Sequence, residues 1–125
     1  MYRYYNANPT GKHTIDCTIR AISKATGTSW RVVYSGICLE GYESFDMPSS
    51  NAVWGSYLRR NGFKRYVIPN SCPDCYTVQD FCADNPVGTF ILATGTHVVA
   101  VKDGDYFDIW DSGNEIPVFY WKKER

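Results

Sequence analysis

The chain has no net charge, no long apolar run and only two histidines. Thirteen basic and 13 acidic residues cancel, so no long-range field draws it to nucleic acid or an anionic membrane, and neither is expected as a partner. No stretch approaches the ~18 apolar residues of a membrane span. The start, "MYRYYNANPTGKH", has no charged-then-apolar leader. Cysteine is sparse and odd in number, five in 125 residues. Without a secretion signal, this points to free thiols in a reducing cytosol rather than to disulfides. The only charge run, "WKKER" at the C-terminus, is expected to be a solvated tail. Apolar and aromatic residues are plentiful: 44% hydrophobic and 16% aromatic, with ten tyrosines and four tryptophans. That excludes a disordered, collagen-like or low-complexity chain. The length suits one domain, residues 1–125, with a substantial core.

Periodicity changes along the chain. With Asp16 as N-cap, "CTIRAISKAT" predicts a helix, with Ile15, Ile19 and Ile22 at i, i+4, i+7 and Gly27 as its stop. Ser29 caps a second helix carrying Trp30, Val33, Tyr34, Ile37 and Cys38, ending near Gly41. Pro48 and the serines after it open a third, with Val53, Trp54, Tyr57 and Leu58 on one face and Asn61-Gly62 closing it. "KRYVI" (64–68) predicts a short strand, and Thr77 with Asp80 a capping box for a short helix through Ala83. Thereafter "GTFILAT", "HVVAVK", "DYFDIW" and "IPVFYW" are β-branched and aromatic runs, two of them joined by an Asp-Gly hairpin signal. Helices followed by an antiparallel sheet define an α+β class.

A thiol opens the first helix, where the N-terminal dipole favours thiolate over thiol. His97 opens the strand "HVVAV", and Asp111 follows one hairpin leg later in "IWDSG". Cys17, His97 and Asp111 thus make a nucleophile, base and orienting-carboxylate set. The backbone N–H of Cys17 is available to a developing oxyanion. Parity tempers the choice of carboxylate. A two-residue turn at Asp103-Gly104 sets His97 opposite Trp110 and sends Asp111 to the other sheet face. Asp111 is expected on a bulged register or an early strand exit, with Asp108 as the fallback. His13, four residues before Cys17, is the alternative base and is expected in an entry loop or along the cleft. Trp110 beside this set is either a water shield or ordinary core.

Cys17 at the head of the first long helix, "THVVAVKDGDYFDIWDSG" as a His-to-Asp hairpin, and the helical-then-β order resemble the papain-like cysteine peptidase superfamily in a minimal form. The chain is most similar to small single-domain members encoded by bacteria and their phages. The matched motifs occupy roughly residues 6–26 and 88–121. The resemblance implies a minimal papain-like fold and a thiol hydrolase. Such an enzyme cleaves an amide or isopeptide bond of a peptide or protein through an acyl-enzyme on Cys17, without metal or organic cofactor, in the cytoplasm of a bacterium or phage-infected cell. Family members commonly carry a glutamine about six residues before the cysteine, completing the oxyanion hole; here Gly11 stands there. Asn6, Asn8, His13 and Thr14 are the nearby side chains on offer. Rival expectations are transglutaminase-like acyl transfer and a non-catalytic module that binds a host factor.

"SCPDCYTVQDFC" raises a separate question. Cys72 and Cys75 have CxxC spacing, but zinc wants four ligands. Cys82, on a face with Val78 and Phe81, suits core packing better, as does Cys38 beside Ile37 and Tyr34. Free loop thiols at Cys72 and Cys75 are the expectation.

Overall fold

In the computed structural model, residues 1–69 and 76–124 are described. Cys72 and Cys75 lie outside them. Three helices come first: α1 (Cys17–Thr26), α2 (Trp30–Ser44) and α3 (Asn51–Arg60). A strand β2 (Phe63–Val67) and a short α4 (Val78–Asp84) follow, then β3 (Thr89–Ala93), β4 (Val98–Lys102), β5 (Asp105–Asp108) and β6 (Phe119–Lys123). The class is α+β, and the expected helices and strands all form.

Four details differ from the sequence reading; one is that the expected solvated tail "WKKER" begins within the last strand, where Trp121 is buried in the core. A strand β1 (Tyr2–Tyr4) precedes the helices and pairs parallel with β5. This makes the six-stranded sheet mixed rather than antiparallel, in the order β1-β5-β4-β3-β6-β2. Helix α2 runs past Gly41 to Ser44, where Phe45 takes the left-handed cap conformation at φ 56° and donates its N–H to Gly41 O. Gly41 is needed for contact rather than for stopping, because a Cβ there would meet Asp46 O at 2.7 Å. Ile15 is fully exposed, since the chain has not yet entered α1 at that point and its helical spacing to Ile19 is incidental.

Alternation along the strands explains two separate cores. Ile91 and Ala93 of β3, Val98 and Ala100 of β4, and Phe119 and Trp121 of β6 face α1, α2 and α3. Their alternates Phe90, Leu92, Val99, Val101 and Tyr120 face α4, with Val78, Phe81 and Cys82. Side chains of period two thus divide between two helical layers. The α4 cap is the predicted reciprocal box: Thr77 Oγ1 accepts from the Asp80 N–H, and Asp80 accepts from the Thr77 N–H. Among the described residues no helix is long and apolar enough to cross a membrane.

The β4–β5 hairpin sets the position of the site. Asp103 and Gly104 both have positive φ, 50° and 83°, as a two-residue primed turn requires. Lys102 pairs with Asp105, Val101 with Tyr106 and Ala100 with Phe107, with no bulge. Extending that register by one pair sets Val99 across from Asp108. His97, just before β4, and Asp108, the last residue of β5, therefore meet at the hairpin's open end.

Candidate active site

Helix α1 packs across β4, and this delivers Cys17 to the same open end. The thiol borders one cleft with His97 and Val98, and both neighbours favour its ionised form. His97 Nε2 lies 2.5 Å from Asp108 Oδ2, which leaves Nδ1 as the ring nitrogen for sulfur. Thr94 Oγ1 accepts the His97 N–H at 2.9 Å, fixing the backbone that carries the ring. Trp110 covers one side of the imidazole, with ring centroids 5.0 Å apart.

The structure brings Cys17 and His97 together as expected, but the carboxylate beside them is Asp108, and Asp111 is elsewhere. Asp111 accepts from the Tyr106 hydroxyl and from the Gly113 N–H. It lines a cleft with Gln79, Cys82 and Tyr106 on the α4 side. The unbulged turn keeps simple parity, which puts His97 and Asp108 on the same side of the hairpin, and β5 ends at Asp108, so the strand alternation does not extend to Asp111. His13 contacts Tyr4 at 3.3 Å, and Asn6 and Asn8 are used in turns of their own loop. None of these three borders the cleft at Cys17.

Asp108 is fully buried and its carboxylate is fully used. Oδ2 accepts from His97 and from Ser112 Oγ at 2.7 Å; Oδ1 accepts from Arg20 Nη2 and the Ile109 N–H, each at 2.9 Å. Arg20 also bonds Asp16 Oδ1 at 2.6 Å, while Trp30 Nε1 donates to Asp16 Oδ2 at 2.9 Å. Asp16 holds the N-cap position but caps nothing with its side chain, because both oxygens serve this network. Two buried carboxylates and one guanidinium leave one negative charge, which an imidazolium at His97 offsets when Cys17 is a neutral thiol; with Cys17 as thiolate the cluster carries one net negative charge. A cluster so wired avoids the penalty of an unpaired buried ion. Nothing in the local sequence marks Arg20 for this role, since its partner Asp108 is 88 residues away.

The charges shift the titrations in one direction. Burial opposes ionisation of Cys17, but the His97 hydrogen bond, the Val98 backbone bond and the charges of His97 and Arg20 outweigh it and lower the thiol pKa. Burial also opposes protonation of His97, yet Asp108 and Cys17 raise it to about 9. For Asp108, burial is overcome by His97, Ser112 and the Ile109 amide, and its pKa falls below the usual carboxylate value. A thiolate–imidazolium pair held by a carboxylate can attack an electrophilic carbon and return a proton to a leaving group.

The cleft at Cys17, about 190 Å³, is bordered by the Thr94–Val98 segment and by Ser49, Asn51 and Trp54 at the start of α3. Asn51 is a residue that sequence reasoning missed. Its Oδ1 accepts from Trp54 Nε1 at 3.1 Å, which assigns the amide orientation and leaves the Nδ2 donors for a ligand. Among the described residues no group of three or more His, Cys, Asp or Glu side chains is arranged to hold a metal. Cys82 is buried among Val78, Phe81 and Phe90, as core packing predicts. No family model matches the chain, and comparison with curated proteins and with solved structures yields no match.

Proposed function

We propose that the protein is a small papain-like thiol hydrolase that cleaves an amide or isopeptide bond in a peptide or protein. The observation that carries this reading is the line Cys17–His97–Asp108, in which a lowered thiol meets a raised imidazole clamped by a saturated carboxylate. Asp108 takes the orienting role assigned by sequence to Asp111.

In this mechanism Cys17 Sγ, as thiolate, attacks the substrate carbonyl carbon and forms the S–C bond. The oxygen gains negative charge and is met by the Cys17 N–H, unsatisfied at the helix start. Asn51 Nδ2, on the same cleft, is the second donor, in place of the glutamine that Gly11 replaces. The C–N bond then breaks, and imidazolium at His97 gives its proton to the leaving amine. Neutral His97 next takes a proton from water, whose oxygen attacks the acyl carbon. The S–C bond breaks, the acid is released, and the thiolate–imidazolium pair is restored. Asp108 keeps the ring aimed and stays ionised throughout, because Arg20 and the Ile109 amide hold its other oxygen.

The test is intact-mass labelling with a substoichiometric peptide bearing an alkylating warhead, with the modified residue mapped. Single modification at Cys17, lost on heat unfolding before labelling, is the expected result. Labelling spread over several cysteines in proportion to exposure contradicts the proposal.

A further inference from the structure

Strand β2 closes one edge of the sheet, and among the described residues no further strand pairs with its outer side. Its register decides which backbone groups are free. Ile68 N–H donates to Val118 O, and Glu124 N–H donates to Gly62 O. With Phe63 opposite Lys123, the residues that exchange bonds with β6 are then Lys64 and Tyr66. The N–H and C=O groups of Phe63, Arg65 and Val67 point outward, a ladder side open to a partner.

Charge at this edge is one-sided in a chain that is neutral overall. Residues 59–69, "RRNGFKRYVIP", hold four basic residues and no acidic one, and Lys122 and Lys123 stand beside them on β6. Arg60 pairs with Glu40. Arg59, Lys64, Arg65, Lys122 and Lys123 are exposed, and among the described residues none of these five makes an ion pair. Two of the charges are propped on rings: Arg65 lies 4.2 Å from the Phe119 centroid and Arg59 5.1 Å from that of Trp121. Lys64 and Lys122 share one sheet face and Arg65 takes the other, so both faces of an added strand would meet positive charge.

We propose that the outer edge of β2 docks an acidic, extended segment of a partner protein, which joins the sheet as an added strand. The proposal does not depend on the role of Cys17. Main-chain bonds to Phe63, Arg65 and Val67 hold the segment, and its carboxylates meet the unpaired basic groups on either face. A second copy of this chain is a poor occupant. Two β2 edges paired antiparallel about Arg65 set Arg65 against Arg65, and like charges directly opposite destabilise. The charges that repel another copy are thus the ones that select an acidic strand. Nucleic acid would use the charge but leave the outward N–H and C=O groups unpaired, and the Tyr66 ring is already stacked on Tyr120 at 5.3 Å. An acidic peptide uses both features.

The experiment titrates the full chain with a fluorescent peptide of about eight residues, built from paired glutamates and threonines so that each face carries carboxylates. Saturable binding is expected, with slowed exchange of the Phe63, Arg65 and Val67 amides read by NMR. A version with every main-chain N–H methylated keeps its charge and should bind about tenfold or more weakly, through loss of the ladder bonds. Arg65→Glu should weaken binding by about tenfold or more; Arg65 is exposed, so the variant keeps its core. Lys12→Glu, the same charge change in the loop after β1 at the opposite edge, should leave binding within about twofold. Equal binding of the methylated peptide, or equal weakening by Arg65→Glu and Lys12→Glu, overturns the added strand in favour of bulk charge. Unchanged exchange at the three amides overturns it too, as does an oligothymidylate that binds more tightly than the peptide.

Discussion

Each face of the sheet holds a thiol at a cleft, and the two thiols differ in every property that matters for chemistry. On the α4 face, Cys82 borders the larger space, about 500 Å³, with Tyr106 and Asp111. Burial pushes its pKa up to about 11. On the α1 face, Cys17 borders a cleft of about 190 Å³, and there the neighbours of the sulfur overcome burial and lower its pKa. Cleft size therefore does not follow the direction in which the thiol pKa moves. What separates the two is wiring: His97, Arg20 and a helix start serve Cys17, whereas Cys82 sits in the last turn of a short helix among Val78, Phe81 and Phe90. A nucleophile needs a counter-charge more than it needs room.

The largest expected effect removes the pair itself. Cys17→Ala and His97→Ala should each lower kcat/KM by roughly 10⁴-fold or more on a substrate found by screening. The double variant should be no worse than either, because a base without its nucleophile does nothing. Additive losses would separate the two residues. Cys82→Ala, the matching change on the other face, should leave kcat/KM within about twofold and cost stability only, through lost packing.

Next comes the contrast between Asp108 and Asp111, three residues apart and in separate hydrogen-bond networks. Asp108→Ala leaves Arg20 with one carboxylate where it had two, and His97 without its clamp. We expect a loss of about 10²-fold or more in kcat and a destabilisation of about 3–5 kcal/mol, the cost of breaking a buried ion network, read by denaturant unfolding. Asp111→Ala removes a turn contact and the bond from the Tyr106 hydroxyl, and activity should be unchanged. The opposite ranking would restore Asp111 as the orienting carboxylate.

Asn51→Ala should lower kcat by roughly 10²-fold with little change in Cys17 alkylation, as expected for a donor met only by the developing oxyanion. Equal losses in both readouts would make Asn51 a structural residue of α3.

Much of this was legible beforehand and some was not, for identifiable reasons. The four helices announce themselves through caps and apolar spacing, and the later strands through β-branched runs. The Thr77–Asp80 box and the core position of Cys82 follow from the same local rules. The proximity of Cys17 and His97 was legible because a cysteine opens the first helix and the chain has only two histidines. The carboxylate was misread by assuming an irregular hairpin, although Asp103-Gly104 is a strong two-residue turn sequence and parity then points to Asp108. Strand β1 has three residues and borrows its place from β5, so no local period marks it. Arg20 and Asn51 carry no sequence signal because their partners are fixed by tertiary packing.

The smallest expected effect is on stability against pH. The His97 pKa rises from 6.5 to about 9 on folding, so its pairing stabilises fully below about pH 6.5 and is lost as pH rises through about 9. Cys17 works in the opposite sense: its lowered thiol contributes at alkaline pH and loses that share as pH falls through the lowered value. Cys17→Ala isolates the histidine. With the raising effect of Cys17 gone and that of Asp108 kept, its Tm should decline by a few degrees as pH rises above about 6.5, relative to Cys17→Ala/His97→Gln, and the decline should be complete at a lower pH than in the parent protein. Parallel curves would show that His97 is not charged in the folded protein.

The most direct measurement follows iodoacetamide alkylation of Cys17 and Cys82 in one sample across pH, each quantified by peptide mass mapping. Cys17 should keep reacting well below the ordinary thiol range near ~8.5. At pH 7 it should outpace Cys82 by more than about 10²-fold, and His97→Ala should remove that low-pH reactivity. A Cys17 profile that follows a free thiol near ~8.5, unchanged in His97→Ala, would contradict the paired nucleophile at the centre of this account.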